Sequence, residues 1–346
     1  MSKFIPIILA SGLVSFIATP LIRRLAQILN FVDKPEARKM HLSPVPMLGG
    51  VAIYIGLVTA MGLTSISGSY DQLLGILGGA TVMTVVGLWD DRRGLSPQFK
   101  ILGEVAAAVI LIWSGIHVTL FASPMLNILI TIIWVIGICN AINFLDNMDG
   151  LAAGIAVVAS GFFFTIALIE KLGLVAALGA ATLGACVGFL YYNFSPATLF
   201  MGDAGSLLLG FILAVLGMKL SFVGRSLSVT WMIPIIILGI PIFDTTLVVL
   251  SRLRRHRPIY RGGKDHISHR LVTVVGMDPP RAVMTLYLIA ATLGLTAIML
   301  IDATVLQARI ILAVLSLMFV IGLVWLEWNF QPPSVSSPLS ESPNNN

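Results

Sequence analysis

Charge is scarce in this chain. Of its 346 residues, 11% are Asp, Glu, Lys or Arg and 57% are hydrophobic, where a soluble domain carries roughly 25% charged residues. Too little polar surface is available to coat a globule, which excludes a soluble enzyme and a disordered chain. A nucleic-acid partner is excluded with them, although Lys and Arg outnumber Asp and Glu by 21 to 16. Cysteine is nearly absent: Cys139 and Cys186 both lie in apolar runs, with no CxxC and no partner at metal spacing. They read as buried structural thiols rather than a disulfide framework or a zinc site. No internal repeat is present, and the charges within apolar runs are few, chiefly Glu104, Asp244 and Arg309, each close to a run's end. Both absences count against a membrane transporter of an anionic solute, which would show repeat symmetry and midplane charge.

What is abundant is uninterrupted apolar sequence. Runs approaching the ~20 residues needed to cross a bilayer occur at 4–22, 47–66, 73–89, 101–116, 125–144, 151–169, 172–192, 204–220, 229–250, 282–301 and 303–326. An open strand edge would leave backbone groups unpaired in lipid, so the runs are helices. The expected fold class is an all-α polytopic integral membrane protein with about 11 transmembrane helices. With an odd number of spans, sixteen of the 21 basic residues fall on one side of the membrane, Arg92, Arg93, Lys100 and the arginines at 252–281 among them. That side is the cytoplasm, which puts the N-terminus outside and the C-terminus inside. The first run is followed by the arginine pair Arg23 and Arg24 and is longer than a typical h-region, unlike a signal peptide. One membrane domain, 1–330, with cytoplasmic loops near 23–46, 90–100, 144–150, 193–205 and 251–281 is expected, then a disordered cytoplasmic tail, 331–346, rich in Pro, Ser and Asn.

The acidic residues cluster as well. Asp90 and Asp91 end the third run beside Arg92 and Arg93. Adjacent carboxylates at a membrane surface call for a cation or a phosphate-linked role, or else mark a solvated helix end. Asn140, Asn143, Asp146 and Asp149 follow at intervals of three; if helical they share one broad face, suited to a hard cation and to ribose or phosphate. Asn capping explains one or two of them, not four. Next, Asn193, Phe200 and Gly202-Asp203-Ala204-Gly205-Ser206 precede the eighth run. There an Asp at a helix N-terminus suits phosphate or a phosphate-bound metal, or is an ordinary cap. The last large loop holds five arginines between 252 and 261, then Asp265-His266-Ile267-Ser268-His269-Arg270. The arginines fit a polyanion and equally the positive-inside rule; the histidines are not explained by that rule. The loop at 33–50 has no role beyond a connector that physics alone assigns, and Asp244 is left as either a support for the site or a helix-pairing residue.

Taken in order, these four motifs resemble those of the polyprenyl-phosphate N-acetylhexosamine-1-phosphate transferases, the superfamily that initiates enterobacterial common antigen, O-antigen and wall teichoic acid and includes the peptidoglycan translocase. The resemblance runs from about residue 1 to 326. It implies a multi-pass protein of the cell inner (plasma) membrane that transfers a HexNAc-1-phosphate, GlcNAc-1-phosphate in the first instance, from a UDP-sugar to undecaprenyl phosphate on the cytoplasmic face. It further implies that Asp90, Asp91, His266 and His269 are catalytic, that Asn143, Asp146 and Asp203 meet Mg²⁺ (or Mn²⁺ in its place), and that Lys100, Asp149, Asn193, Phe200 and Arg270 bind substrate. Partners are then the UDP-HexNAc, the lipid acceptor and membrane lipid; a homodimer is compatible with this and not required. Members often read His-x-His-His, whereas Ser268 holds the middle place here. That departure favours a UDP-GlcNAc-like donor over UDP-MurNAc-pentapeptide.

Overall fold

The structure, a computed structural model, describes residues 2–33, 45–64, 69–260 and 262–330. The connector holding Lys34, Glu36, Arg38, Lys39 and His41, together with Arg261 and the tail 331–346, lies outside the described residues. In chain order the helices are α1 (Ile5–Ile28), α2 (Gly49–Gly62), α3 (Tyr70–Arg93), α4 (Pro97–Trp113), α5 (Pro124–Leu145), α6 (Leu151–Ile169) and α7 (Gly173–Asn193). They continue with α8 (Gly202–Lys219), α9 (Leu227–Thr230), α10 (Ile233–Ile237), α11 (Gly239–Arg254), α12 (Ile267–Thr273), α13 (Pro279–Leu300) and α14 (Val305–Asn329). A two-residue pair, β1 (Val32–Asp33) and β2 (Val45–Pro46), is antiparallel with Val32 opposite Pro46.

Helix starts follow local chemistry. Pro97, Pro124 and Pro279 occupy first turns, where their missing N–H would be unsatisfied in any case. The Asp278 carboxylate accepts the Arg281 N–H at 2.8 Å, and Thr304 with Gln307 forms a reciprocal capping box at α14.

Every one of the eleven apolar runs falls on helix, but not every one has crossing length. Eight helices among the described residues do: α1, α3, α5, α6, α7, α8, α13 and α14. The run at 229–250 is broken, with α9–α10 and α11 meeting at 72°. Pro241, three residues past the break, has no N–H with which to continue the ladder. α2 and α4 are shorter, 14 and 17 residues. α2 loses its first residues because Pro46 and Met47 are drawn into extended contacts, Met47 bridging Phe200. The chain is therefore an all-helical, multi-pass membrane protein, and eleven is a count of apolar runs rather than of full-length helices.

α8 is the centre of the bundle. Ala204 to Gly217 are buried without interruption, as expected of a helix that is apolar on every side, and α2, α3, α5, α6, α7 and α10 pack around it. α14 is its opposite, burying only Ala308 and Leu326 and presenting its apolar side chains outward to lipid. Around the start of α8 gather the N-termini of α2 and α4 and the C-termini of α3, α5 and α7. Gly87 makes the α3 approach close enough: a Cβ there would stand 2.4 Å from the backbone of Ala204 and from the Asp203 carbonyl oxygen. Backbone cannot give way as a side-chain tip can, so Gly87→Ala should destabilise the protein by about 1–3 kcal/mol despite the better helix propensity of alanine. A thermal melt in detergent checks this; an unchanged melting temperature would mean that α3 and α8 separate freely.

Candidate active site

The first turn of a helix leaves N–H groups without partners, and at α8 that turn lies inside the protein. Asp91, on the last turn of α3, supplies the acceptor: its Oδ1 takes the Asp203 N–H at 2.8 Å and its Oδ2 the Ala204 N–H at 3.1 Å. Gly202 makes room, with φ +71° and a hypothetical Cβ that would fall 2.6 Å from Asp91 Oδ2. Of the two readings the sequence left open, phosphate or a cap, these two N–H groups meet a cap, supplied by Asp91 from another helix rather than by Asp203 itself.

Neighbours on a helix point about 100° apart, so Asp90 and Asp91 part company. Asp90 Oδ2 pairs with Lys100 Nζ at 2.7 Å, and Asp90 Oδ1 accepts the Leu95 N–H at 2.5 Å. The same ammonium reaches Asp203 Oδ2 at 2.7 Å. Asp203 Oδ1 in turn accepts from Asn143 Nδ2 at 2.8 Å, and that amide also donates to Ser206 Oγ at 2.8 Å. Asp90, Lys100, Asp203 and Asn143, from four helices, thus form one polar chain.

The Asn/Asp series is not a single helical stripe. α5 ends at Leu145, so Asp146 and Asp149 lie in the turn before α6, which Gly150 closes with φ +75°. Asn140 turns away to the buried Glu104, donating to its carboxylate at 2.9 Å. Asp149 Oδ2 accepts the Ala197 N–H at 2.9 Å, and the buried Asn193 donates to the Leu199 carbonyl at 3.1 Å. Phe200 is fixed by its backbone, its N–H bonded to the Pro46 carbonyl at 2.9 Å and its own carbonyl accepting the Gly49 N–H at 3.0 Å. Asp146 makes no side-chain hydrogen bond within the described residues. Burial, then the charges of Asp203, Asp91 and Asp149, pushes its carboxyl up to about 8.

The histidine segment divides. His269 faces the site, whereas His266 turns inward and its Nδ1 lies 2.8 Å from Asp244 Oδ2. Arg270 does not reach the site at all. Its buried guanidinium donates from Nε to the Asp265 carbonyl at 2.8 Å and from Nη1 to Leu326 O at 3.0 Å and Glu327 Oε2 at 2.8 Å, with Phe330 across its face. The expected substrate contact from Arg270 is replaced by a strut to α14, because its backbone position on α12 directs it away from the cleft. Burial alone would raise the Asp265 carboxyl, but the two-point hydrogen bond from Arg252 (both 2.8 Å) holds it below its ordinary value.

These elements enclose a cleft of about 790 Å³, lined among others by Asp33, Asp91, Asp146, Asp149, Asn193, Phe200, Asp203 and His269. Asp33 was not foreseen as a site residue. Among the described residues no group of three or more His, Cys, Asp or Glu side chains stands together as a ready metal cage. The donor set nonetheless suits a hard cation. The charges that raise the Asp146 carboxyl come from three other carboxylates, and an all-oxygen, like-charged group is the kind of donor set that hard cations prefer.

Residues 73–221, which span α3 to α8 and most of this cleft, match glycosyl transferase family 4. The chain is 36% identical over 329 residues, 91% of its length, to 90% of a probable undecaprenyl-phosphate N-acetylglucosaminyl 1-phosphate transferase of Bacillus subtilis (strain 168). It belongs to this family of polyprenyl-phosphate HexNAc-1-phosphate transferases. Another member, the decaprenyl-phosphate N-acetylglucosaminephosphotransferase of Mycobacterium leprae (strain TN), is 30% identical over 316 residues, covering 81% of this chain and 79% of that one. A phospho-N-acetylmuramoyl-pentapeptide-transferase of Desulforudis audaxviator (strain MP104C) is 29% identical over 337 residues, 85% of this chain and 98% of that one.

Some residues that shape this family member's site escaped the sequence reading. Ser206 stood in the quoted motif without a role. Tyr287, which donates to the Gly150 carbonyl at 2.5 Å, carried no signal, being one aromatic in an apolar run. His269 offers a direct check. Burial, then the neighbouring His266 and Lys264, pushes its imidazole from 6.5 down to about 4. Between those two values the unfolded chain holds a proton there that the folded chain does not, so this residue weakens the fold as pH falls through that window and has no effect above it. NMR of ¹⁵N-histidine-labelled protein should place its midpoint near 4; a midpoint near 6.5 would mean a solvated ring.

Proposed function

We propose that the protein transfers N-acetylglucosamine 1-phosphate from UDP-N-acetylglucosamine to undecaprenyl phosphate, releasing UMP, and so initiates a cell-envelope glycan. The observation that carries the reading is the carboxylate-lined cleft at the start of α8, in a chain of this family. A cleft of about 790 Å³ is within the usual range for a nucleotide-sized ligand. The names borne by the more similar relatives favour this sugar over a peptide-bearing donor.

The reaction joins a phosphate oxygen of the lipid to the β-phosphorus of the donor. The bond from that phosphorus to the bridging oxygen breaks, and its electron pair leaves with UMP. A phosphomonoester with a second pKa near 6 is mostly dianionic at neutral pH, so the acceptor needs alignment more than a strong base. Asp91 is bonded to two backbone N–H groups and Asp90 to Lys100. Carboxylates with these partners align groups, which supports direct attack by the lipid phosphate over an aspartyl-phosphate intermediate. Lys100 holds phosphate charge beside Asp203, His269 hydrogen-bonds the donor, and Asp149, Asn193 and Phe200 border the nucleoside. Asp146 and Asp203, with Asn143, would hold Mg²⁺, or Mn²⁺ in its place. When bound, the cation neutralises charge on the donor diphosphate and on departing UMP.

The site opens at the end of the bundle where Arg92, Lys100 and Arg252 lie, residues of the set that sequence assigns to the basic side. That supports eleven crossings of the plasma membrane, α2, α4 and the broken α9–α11 included, with the N-terminus outside and the cleft cytoplasmic.

The test is UMP release by detergent-purified protein with undecaprenyl phosphate, Mg²⁺ and a panel of UDP-sugars, with EDTA as the control. Release with UDP-N-acetylglucosamine alone, abolished by EDTA, is expected; release with another UDP-sugar overturns the donor, and none from folded protein overturns the reaction. Asp203→Asn should lower kcat by ~10²-fold or more. A near-normal rate at limiting Mg²⁺ would remove Asp203 from the metal site.

A further inference from the structure

His269 sits on a seven-residue helix, α12, and His266 is the residue just before it; this segment has polar anchors on several sides. From α11, Asp244 reaches it with a carboxylate that is 0% exposed. A carboxylate so far from water persists only with donors on its oxygens, and both oxygens are used: Oδ2 lies 2.8 Å from His266 Nδ1, and Oδ1 accepts the Ile267 N–H at 2.6 Å. One side chain therefore fixes both a ring and the first residue of α12. The His266 ring meets Phe144, on the last turn of α5, edge to face at 6.1 Å. Ser268 donates to Asn147 at 2.5 Å, and Arg270 grips Glu327. With its neighbours held, His269 is the histidine of the pair that lines the cleft, its ring 6.3 Å from that of His266.

We propose a division of labour between the two histidines: Asp244 and His266 form a clasp, positioning residues that work through Nδ1–H···Oδ2, and present His269 to the donor nucleotide. The proposal rests on the transferase reading above for what His269 meets, while the clasp itself is a matter of this chain's own geometry. It assigns Asp244 a purpose, and it makes Nδ1, not Nε2, the atom of His266 that matters.

Two near-isosteric substitutions separate the atoms. Asparagine places its amide nitrogen about where Nδ1 stands and can still donate to Asp244; glutamine places it nearer Nε2 and cannot. Expected is His266→Asn with kcat within about threefold of wild type, and His266→Gln, His266→Ala and Asp244→Asn each slower by roughly 10–100-fold, the usual cost of losing an orienting partner. Asp244→Ala combined with His266→Ala should be no worse than Asp244→Ala alone, since His266 acts only through a carboxylate that is then already gone, whereas Asp244 also holds the Ile267 N–H. His269→Gln, at the cleft itself, should be impaired without any change in the clasp. Hydrogen exchange over residues 265–273 gives a readout independent of turnover: faster than wild type in His266→Gln and unchanged in His266→Asn.

Activity retained by His266→Gln and lost by His266→Asn would make Nε2 the working atom and overturn the proposal. Wild-type rates in both variants would overturn it too, as would loss in both with normal melting and unchanged exchange. If the wild-type protein releases no UMP, the transferase reading fails; the exchange comparison still decides the clasp.

Discussion

The rest of the site depends on one interaction, the capping of a buried helix start by a carboxylate from another helix. α8 begins inside the protein, and its first N–H groups would be costly there without acceptors. Asp91 provides them from α3, and the contact is close because Gly87 and Gly202 have no side chains to hold the helices apart. With α3 and α8 fixed in this register, Asp203 falls beside Lys100 and Asn143, and Asp90 beside Lys100. The polar chain follows from the cap.

The same arrangement explains how a chain so poor in charge concentrates its chemistry. Alternating helices bring polar ends together at one face while the apolar lengths between them stay in lipid. The cleft has a rigid side, built on α3, α5 and α8, and a side built on short elements, the 146–150 turn and α12, each held by side-chain hydrogen bonds rather than by long helical ladders. Precision in the first comes from packing and in the second from buried polar partners, which are unforgiving of loss.

Much of this was legible in the residues. All eleven apolar runs are helical because length and composition dictate it, and the acidic motifs named from sequence do meet around one cleft at Asp91, Asp146, Asp149 and Asp203. What was not legible depends on direction in three dimensions. Spacing by three made Asn140 to Asp149 look like one stripe, but the helix stops at Leu145, and Asn140 finds Glu104 on a neighbouring helix. Arg270 and His266 carried the right chemistry, yet which way a side chain leaves a two-turn helix or the residue before it is set by partners distant in sequence: Glu327 for one, Asp244 for the other. The 72° break in the ninth run is foreshadowed by Pro234 and Pro241, although composition alone reads the run as continuous.

α14 has a consequence of its own. It buries only two residues along its length, yet Glu327 in its last turn receives Arg254, Arg255 and Arg270. A helix of 25 residues is about 37 Å long, more than the ~30 Å of a hydrocarbon core. Its last turn is tied by ion pairs to the end of α11 and, through Arg270, to α12, rather than by packed core. One carboxylate near the end of the chain thus gathers three guanidiniums from two helices distant in sequence, and the far support of the helix that seats His269 hangs on it.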